Sequence, residues 1–128
     1  MRILDFLDGF TSASAPTVGS IFVVSGTKAS PNNITALAGI TASTDAFQLQ
    51  FIQGSGGAVD VSANPQISAG TTTGQVLVLC GANNTNTVLL ENGTGLILNG
   101  SYTMGSSSVL AVQWDGVSSW VELFRNDL

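Results

Sequence analysis

The chain has 128 residues, enough for one domain, with three basic and eight acidic residues, a net charge of −5, no histidine and a single cysteine. Charged residues make up 9% of it, against about a quarter in an ordinary soluble domain, and the deficit is filled by Gly, Ser, Thr and Asn, which hold 52 positions. Composition therefore excludes Ser-His-Asp and Cys-His catalysis, the usual zinc ligand sets and an internal disulfide, and three scattered cations suit neither a nucleic acid nor an anionic membrane.

Too apolar and β-branched for a disordered linker, and too poor in helix formers for a bundle, the sequence predicts an all-β fold. No cofactor and no metal site are expected. No segment reaches the roughly 18–20 apolar residues of a membrane helix. A mean hydropathy of +0.37 is high for so few charges, and points to surface buried between subunits.

Residues 1–20 stand apart. Ile3, Leu4, Phe6, Leu7 and Phe10 crowd the first ten positions, with Asp5 and Asp8 breaking the apolar run that a signal peptide needs. The expected start is that of a mature, cytoplasmically made chain. The spacing 3, 4, 7 fits one helical turn, but Asp8-Gly9 ends it and Arg2 opposes the dipole. Two readings stay open: an extended arm with apolar anchors that docks on a partner, and a strand or flap tucked against its own domain. The small residues from Ser12 to Thr17 read as a tether to a single β domain over 21–128.

Within that domain, strands are expected at Ile21–Val24, at Ile34–Ile40 (a weaker one, diluted by alanines and Gly39) and at Phe47–Gln53. The last alternates strictly, which predicts Phe47, Leu49 and Phe51 on a core face and Gln48 and Gln50 on a solvated one. Ala58–Val61 follows the Gly54-Ser55-Gly56-Gly57 turn. Gln75–Cys80 is apolar on both faces, so both should be covered, with Cys80 a small buried hydrophobe. Further strands are expected at 87–90, 95–98, 101–104, 109–114 and 120–124. Asn92-Gly93, Asn99-Gly100 and Asp115-Gly116 read as tight hairpin turns, giving a small sandwich or barrel-like knob of short antiparallel strands. Strands this short bury little within one chain, so side-by-side association of copies is expected to supply the missing cover.

Little chemistry survives inspection. Asp60, Asp115 and Glu122 are the carboxylates to consider for glycoside hydrolysis, but Asp115 is better explained by its turn. Four Asn-x-Ser/Thr triplets, at Asn33, Asn83, Asn92 and Asn99, follow from the abundance of those residues. The glycine-rich turn at 54–57 lacks the Lys-Ser/Thr of a phosphate loop. No catalytic residues are assigned, and an enzyme is not expected.

One resemblance adds to this reading. Gly74-Gln75 before Val76-Leu77-Val78-Leu79 and Gly81, then Asn86-Thr87-Val88, Gly95-Leu96 and Gly100, and finally Leu110-Ala111-Val112-Gln113-Trp114-Asp115-Gly116 and Trp120-Val121-Glu122 form the matching pattern. Over Ala58–Asn126 the chain resembles trimer-forming β-rich modules of tailed-bacteriophage decoration proteins, head fibres and tail fibres. The resemblance implies a homotrimeric virion structural protein, on capsid or tail, with no catalytic residues. Ile3, Leu4, Phe6, Leu7 and Phe10 would then be the attachment residues, docking on the major capsid protein or another virion subunit. The alternative is a tail-fibre tip that recognises host surface glycans; only Trp114, Trp120 and Tyr102 are available to stack on sugars, and both tryptophans read as core or interface.

Overall fold

The computed structural model describes residues 22–126. Ten strands follow one another: β1 (Phe22–Ser25), β2 (Asn32–Ile34), β3 (Phe47–Gly54), β4 (Val59–Asp60), β5 (Val76–Gly81), β6 (Val88–Leu90), β7 (Leu96–Ile97), β8 (Tyr102–Met104), β9 (Val109–Trp114) and β10 (Trp120–Asn126). The fold is all-β, and the described residues contain no helix.

Its architecture is a short stack of rungs rather than a sandwich or barrel. β1 and β2 lie end to end along β3, and β3 lies along β5, all parallel. On the opposite side β4 runs parallel to β6. Phe47 pairs with Val76 and Val59 with Val88, the same 29-residue offset, so the chain makes one circuit and lays its next circuit on top. A parallel bridge between Ile40 and Ile67 ties successive circuits at a third place. Antiparallel pairing, expected throughout, is confined to the C-terminal part: β8 on β6, β9 on β5 and β10 on β9. The large sheet reads β1-β3-β5-β9-β10-β7, with β2 also on β3, and the small one β4-β6-β8.

The two sheets enclose one core. Ile52, Leu77, Leu79, Leu110, Val112 and Trp120 come from the large sheet, Val88, Leu90, Tyr102 and Met104 from the small one, and Ile40 and Ile67 from the connecting side. Each is under a tenth exposed, so a single chain does bury a continuous core despite its short strands. Trp114 and Trp120 sit on facing positions of β9 and β10 with ring centroids 5.4 Å apart, and the Trp120 indole donates to Ser68 O at 2.9 Å.

Gln48 and Gln50 overturn the expected facing of β3. They point inward, 6% and 3% exposed, while Phe47, Leu49 and Phe51 are half-buried on the outside. The amides are tolerated inside because they are hydrogen-bonded: Gln50 Nε2 donates to Thr41 O (2.7 Å) and Gln48 Oε1 (3.0 Å), and Ser43 N donates to Gln48 Oε1 (3.0 Å). Gln75 and Gln66 repeat the device. Gln75 bridges Thr71 N and Ser43 O, while Gln66 takes Glu91 N and gives to the Glu91 and Gly93 carbonyls. Loop backbone that no ladder satisfies is thereby paired from within.

The turn readings divide. Asp115-Gly116 does close the β9–β10 hairpin: Asp115 Oδ1 accepts the amides of Val117, Ser118 and Ser119, and Gly116 has φ +87°. Asn92-Gly93 flanks its turn instead of forming it. The positive-φ pair is Thr94 (φ 49°) and Gly95 (φ 79°), closed by reciprocal bonds between Gly93 and Leu96. Asn99-Gly100 joins strands of different sheets and makes no hairpin. The strand expected over 34–40 shrinks to β2, because residues 35–39 turn the corner to Ile40.

Candidate interaction surface

Strand register fixes which side chains share the outer face of the large sheet, because directly paired residues point the same way. One row runs Phe47, Val76, Gln113, Val121 and Ile97. The next runs Val24, Leu49, Val78, Ala111 and Phe124. A third, shorter row holds Phe51, Cys80, Val109 and Asn126. None of these positions carries a charge.

Burial on this face is partial within the chain. Val24, Ile97 and Phe124 are 52%, 51% and 55% exposed, and most of the others are half-buried. Ala111 alone is fully buried, small between Val78 and Phe124, and it lies outside the cluster that forms the core. The strand expected to be covered on both faces is therefore covered on one: Leu77 and Leu79 are inside, and Val76, Val78 and Cys80 line the outer face. Cys80 is half-buried rather than buried, and desolvation pushes its thiol above the usual range, favouring the protonated form.

The carboxylates considered for hydrolysis are dispersed. Asp60 is exposed on β4 in the small sheet, Asp115 serves the hairpin and Glu122 lies on β10. Glu122 is held below the usual carboxylate range, first by Arg125, which bonds it at 2.7 and 2.9 Å, and also by the Asn99 amide. Arg125 in turn lies over the Tyr102 ring, 4.5 Å from its centroid, and caps the Gly100 carbonyl. The backbone amides of Val117, Ser119 and Ser118 hold Asp115 below its ordinary value. Both acids are engaged in fastening the C-terminal strands. Among the described residues no group of three His, Cys, Asp or Glu side chains could hold a metal ion.

A cleft of about 470 Å³ opens beside the first rung, lined by Ser25, Asn32, Thr41, Ser43, Gln48 and Gln50 among others. Its floor is a chain of amides, Asn32 Nδ2 donating to Ser25 Oγ (2.9 Å) and to Gln50 Oε1 (3.3 Å), and it contains no charged group. Of the aromatic residues considered for sugar stacking, Trp114, Trp120 and Tyr102 are all buried in the core, away from any such role.

Ile3, Leu4, Phe6, Leu7 and Phe10, expected to carry attachment, lie outside the described residues, as does the arm and tether over 1–20. Sequence reasoning marked Val76, Val78 and Cys80 as a second apolar face of β5 but missed that Phe47, Leu49 and Phe51 of β3 join it. Its signal was the alternation at 47–51, legible only once the polar half is known to turn inward. Comparison with protein-family models, with curated proteins and with solved structures finds no match to this chain.

Proposed function

We propose that this chain is a structural subunit of a bacteriophage virion, not an enzyme, that works as a homotrimer on the particle surface, as a capsid decoration protein or a short head fibre. The observation that carries the proposal is the uncharged, largely apolar outer face of the large sheet, on which a lone subunit leaves Val24, Ile97 and Phe124 more than half exposed. The resemblance over 58–126 supplies the virion context. Attachment to the major capsid protein or a neighbouring virion subunit is assigned to Ile3, Leu4, Phe6, Leu7 and Phe10, on the strength of their density in the sequence. Native mass measurement of the full chain should give three 13.1-kDa subunits, and antibodies to it should label intact particles. A monomer at micromolar concentration, or unlabelled particles, would overturn the assignment. Deleting residues 2–12 should abolish particle binding while the melting temperature stays near normal; loss of the trimer instead would make the arm part of its core.

The uncharged, amide-lined cleft favours a second reading, a tip that recognises host glycans. Amide and hydroxyl groups suit a neutral polyhydroxylated ligand, and Gln48 only accepts in its bonds to the described residues, so its N–H₂ group remains to donate. Saturable binding of neutral oligosaccharides, weakened in an Asn32→Ala variant, would favour this reading over the structural one.

A further inference from the structure

We propose that Asn99 is a self-modification site of this chain, where the side-chain amide closes on the Gly100 nitrogen and is hydrolysed to aspartate or isoaspartate. Asn92, which stands in the same dipeptide, is held back by the fold. The inference stands apart from the function proposed above.

The chemistry needs only the chain and water. The Gly100 peptide nitrogen loses its proton to solvent base and attacks Asn99 Cγ. A new N–C bond closes a five-membered succinimide, and the side-chain nitrogen leaves as ammonia with a proton from solvent. Water then adds to one of the two ring carbonyls. Cleavage at Cγ restores the ordinary backbone with an aspartate side chain; cleavage at the main-chain carbonyl leaves isoaspartate, whose backbone runs through Cβ. The balance is one water consumed and one ammonia released. Nucleophile and electrophile belong to one short loop of covalent bonds, so the step has the advantage of an intramolecular reaction. A following glycine has no side chain to crowd the ring.

The sequence holds two Asn-Gly pairs, and both are exposed, so exposure does not separate them. Hydrogen bonding does. At the first pair, Asn92 Oδ1 accepts Leu98 N at 2.9 Å, and Gly93 N donates to Leu96 O at 2.7 Å. Leu96 N and Gln66 Nε2 hold the Gly93 carbonyl as well. Electrophile and nucleophile are both tied. At the second pair, neither the Asn99 side-chain amide nor Gly100 N has a hydrogen-bond partner among the described residues. A Cβ built at Gly100 meets nothing within 4 Å, so the space the ring would occupy is open.

The modification would also reach the closing strands. Asn99 N donates to Glu122 Oε1, and Arg125 binds the Gly100 and Ser101 carbonyls while it pairs with Glu122. Isoaspartate lengthens the main chain between these contacts, so they no longer fit together. Aspartate leaves that spacing intact.

The test ages the full folded chain in mildly alkaline buffer at body temperature and maps its peptides by mass. Asn99 should gain about 1 Da, the exchange of an amide for an acid, with part of the product methylated by an isoaspartate-specific methyltransferase. Asn92 should convert at least about tenfold more slowly, the order that two extra hydrogen bonds impose. In denaturant the two should convert at similar rates, and Asn99→Gln should remove the fast event. Equal rates in the folded chain, or a slower Asn99, overturn the site. The isoaspartate fraction, separated by ion exchange, should melt below the Asn99→Asp variant, which carries the charge on an unaltered backbone. Equal melting would overturn the effect on Arg125 and leave the site standing.

Discussion

The stacked rungs of β1–β6 and the closing strands β7–β10 share one core but hold it by different means. In the rungs, parallel strands leave long connections whose backbone groups no ladder satisfies, and buried Gln48, Gln50, Gln66 and Gln75 satisfy them. The C-terminal part needs no such amides. Its antiparallel strands pair directly across the Asp115-Gly116 turn, and two tryptophans, Tyr102 and the Arg125–Glu122 pair fill and fasten what remains. The lesson is that polar burial here serves topology: amides enter the core where the chain must bridge circuits, and large apolar rings where neighbouring strands already pair.

The largest expected effect lies in the C-terminal part. Trp120→Ala removes a fully buried ring and the bond to Ser68, and should cost about 3–5 kcal/mol in chemical denaturation. In the rungs, Gln66→Leu preserves bulk yet strips Glu91 N and the Glu91 carbonyl of their partner and takes one of the two bonds of the Gly93 carbonyl, for an expected loss of about 2–3 kcal/mol. A neutral or stabilising Gln66→Leu would erase the distinction between the two regions. The seam between them is sharpened by Gly70, where a Cβ would run into the Trp114 ring. Gly70→Ala should cost about 1–3 kcal/mol, and less when combined with Trp114→Leu, which makes room.

The smallest effect is electrostatic. Asp115 and Glu122 both titrate below their ordinary values in the folded chain, so their contribution is full above the unfolded range near pH 4 and is lost as pH falls through the lowered folded values. Asp115→Asn should flatten the loss of stability on acidification, measured as midpoint against pH. For the part-buried Glu122–Arg125 pair, Glu122→Gln, which keeps a hydrogen-bonding side chain and removes the charge, should cost about 1 kcal/mol.

Much of this was legible in the residues. The apolar alternation at 76–80 and 109–114 marks β5 and β9, and Asp115-Gly116 marks the hairpin between β9 and β10, because turn chemistry and a period of two are local properties. The stacking was hidden. Val59, Val61 and Ile67 recur 29 positions later as Val88, Leu90 and Leu96, but Gln48 and Gln50 stand where Leu77 and Leu79 follow, and that exchange of amide for leucine conceals the repeat. Asn92-Gly93 and Asn99-Gly100 suggested further hairpins, and only the placement of β6, β7 and β8 in two sheets shows what they join.

By itself the sequence determined the all-β class, the absence of histidine chemistry and the positions of the principal strands, since these follow from composition and short-range pattern. Parallel pairing, the inward turn of Gln48 and Gln50, and the gathering of Val24, Leu49, Val78 and Phe124 into one uncharged face were decided only in the tertiary structure. Alternation states that a strand has two faces, whereas which face is inside depends on the partners that satisfy an amide or cover a ring, and those lie tens of residues away.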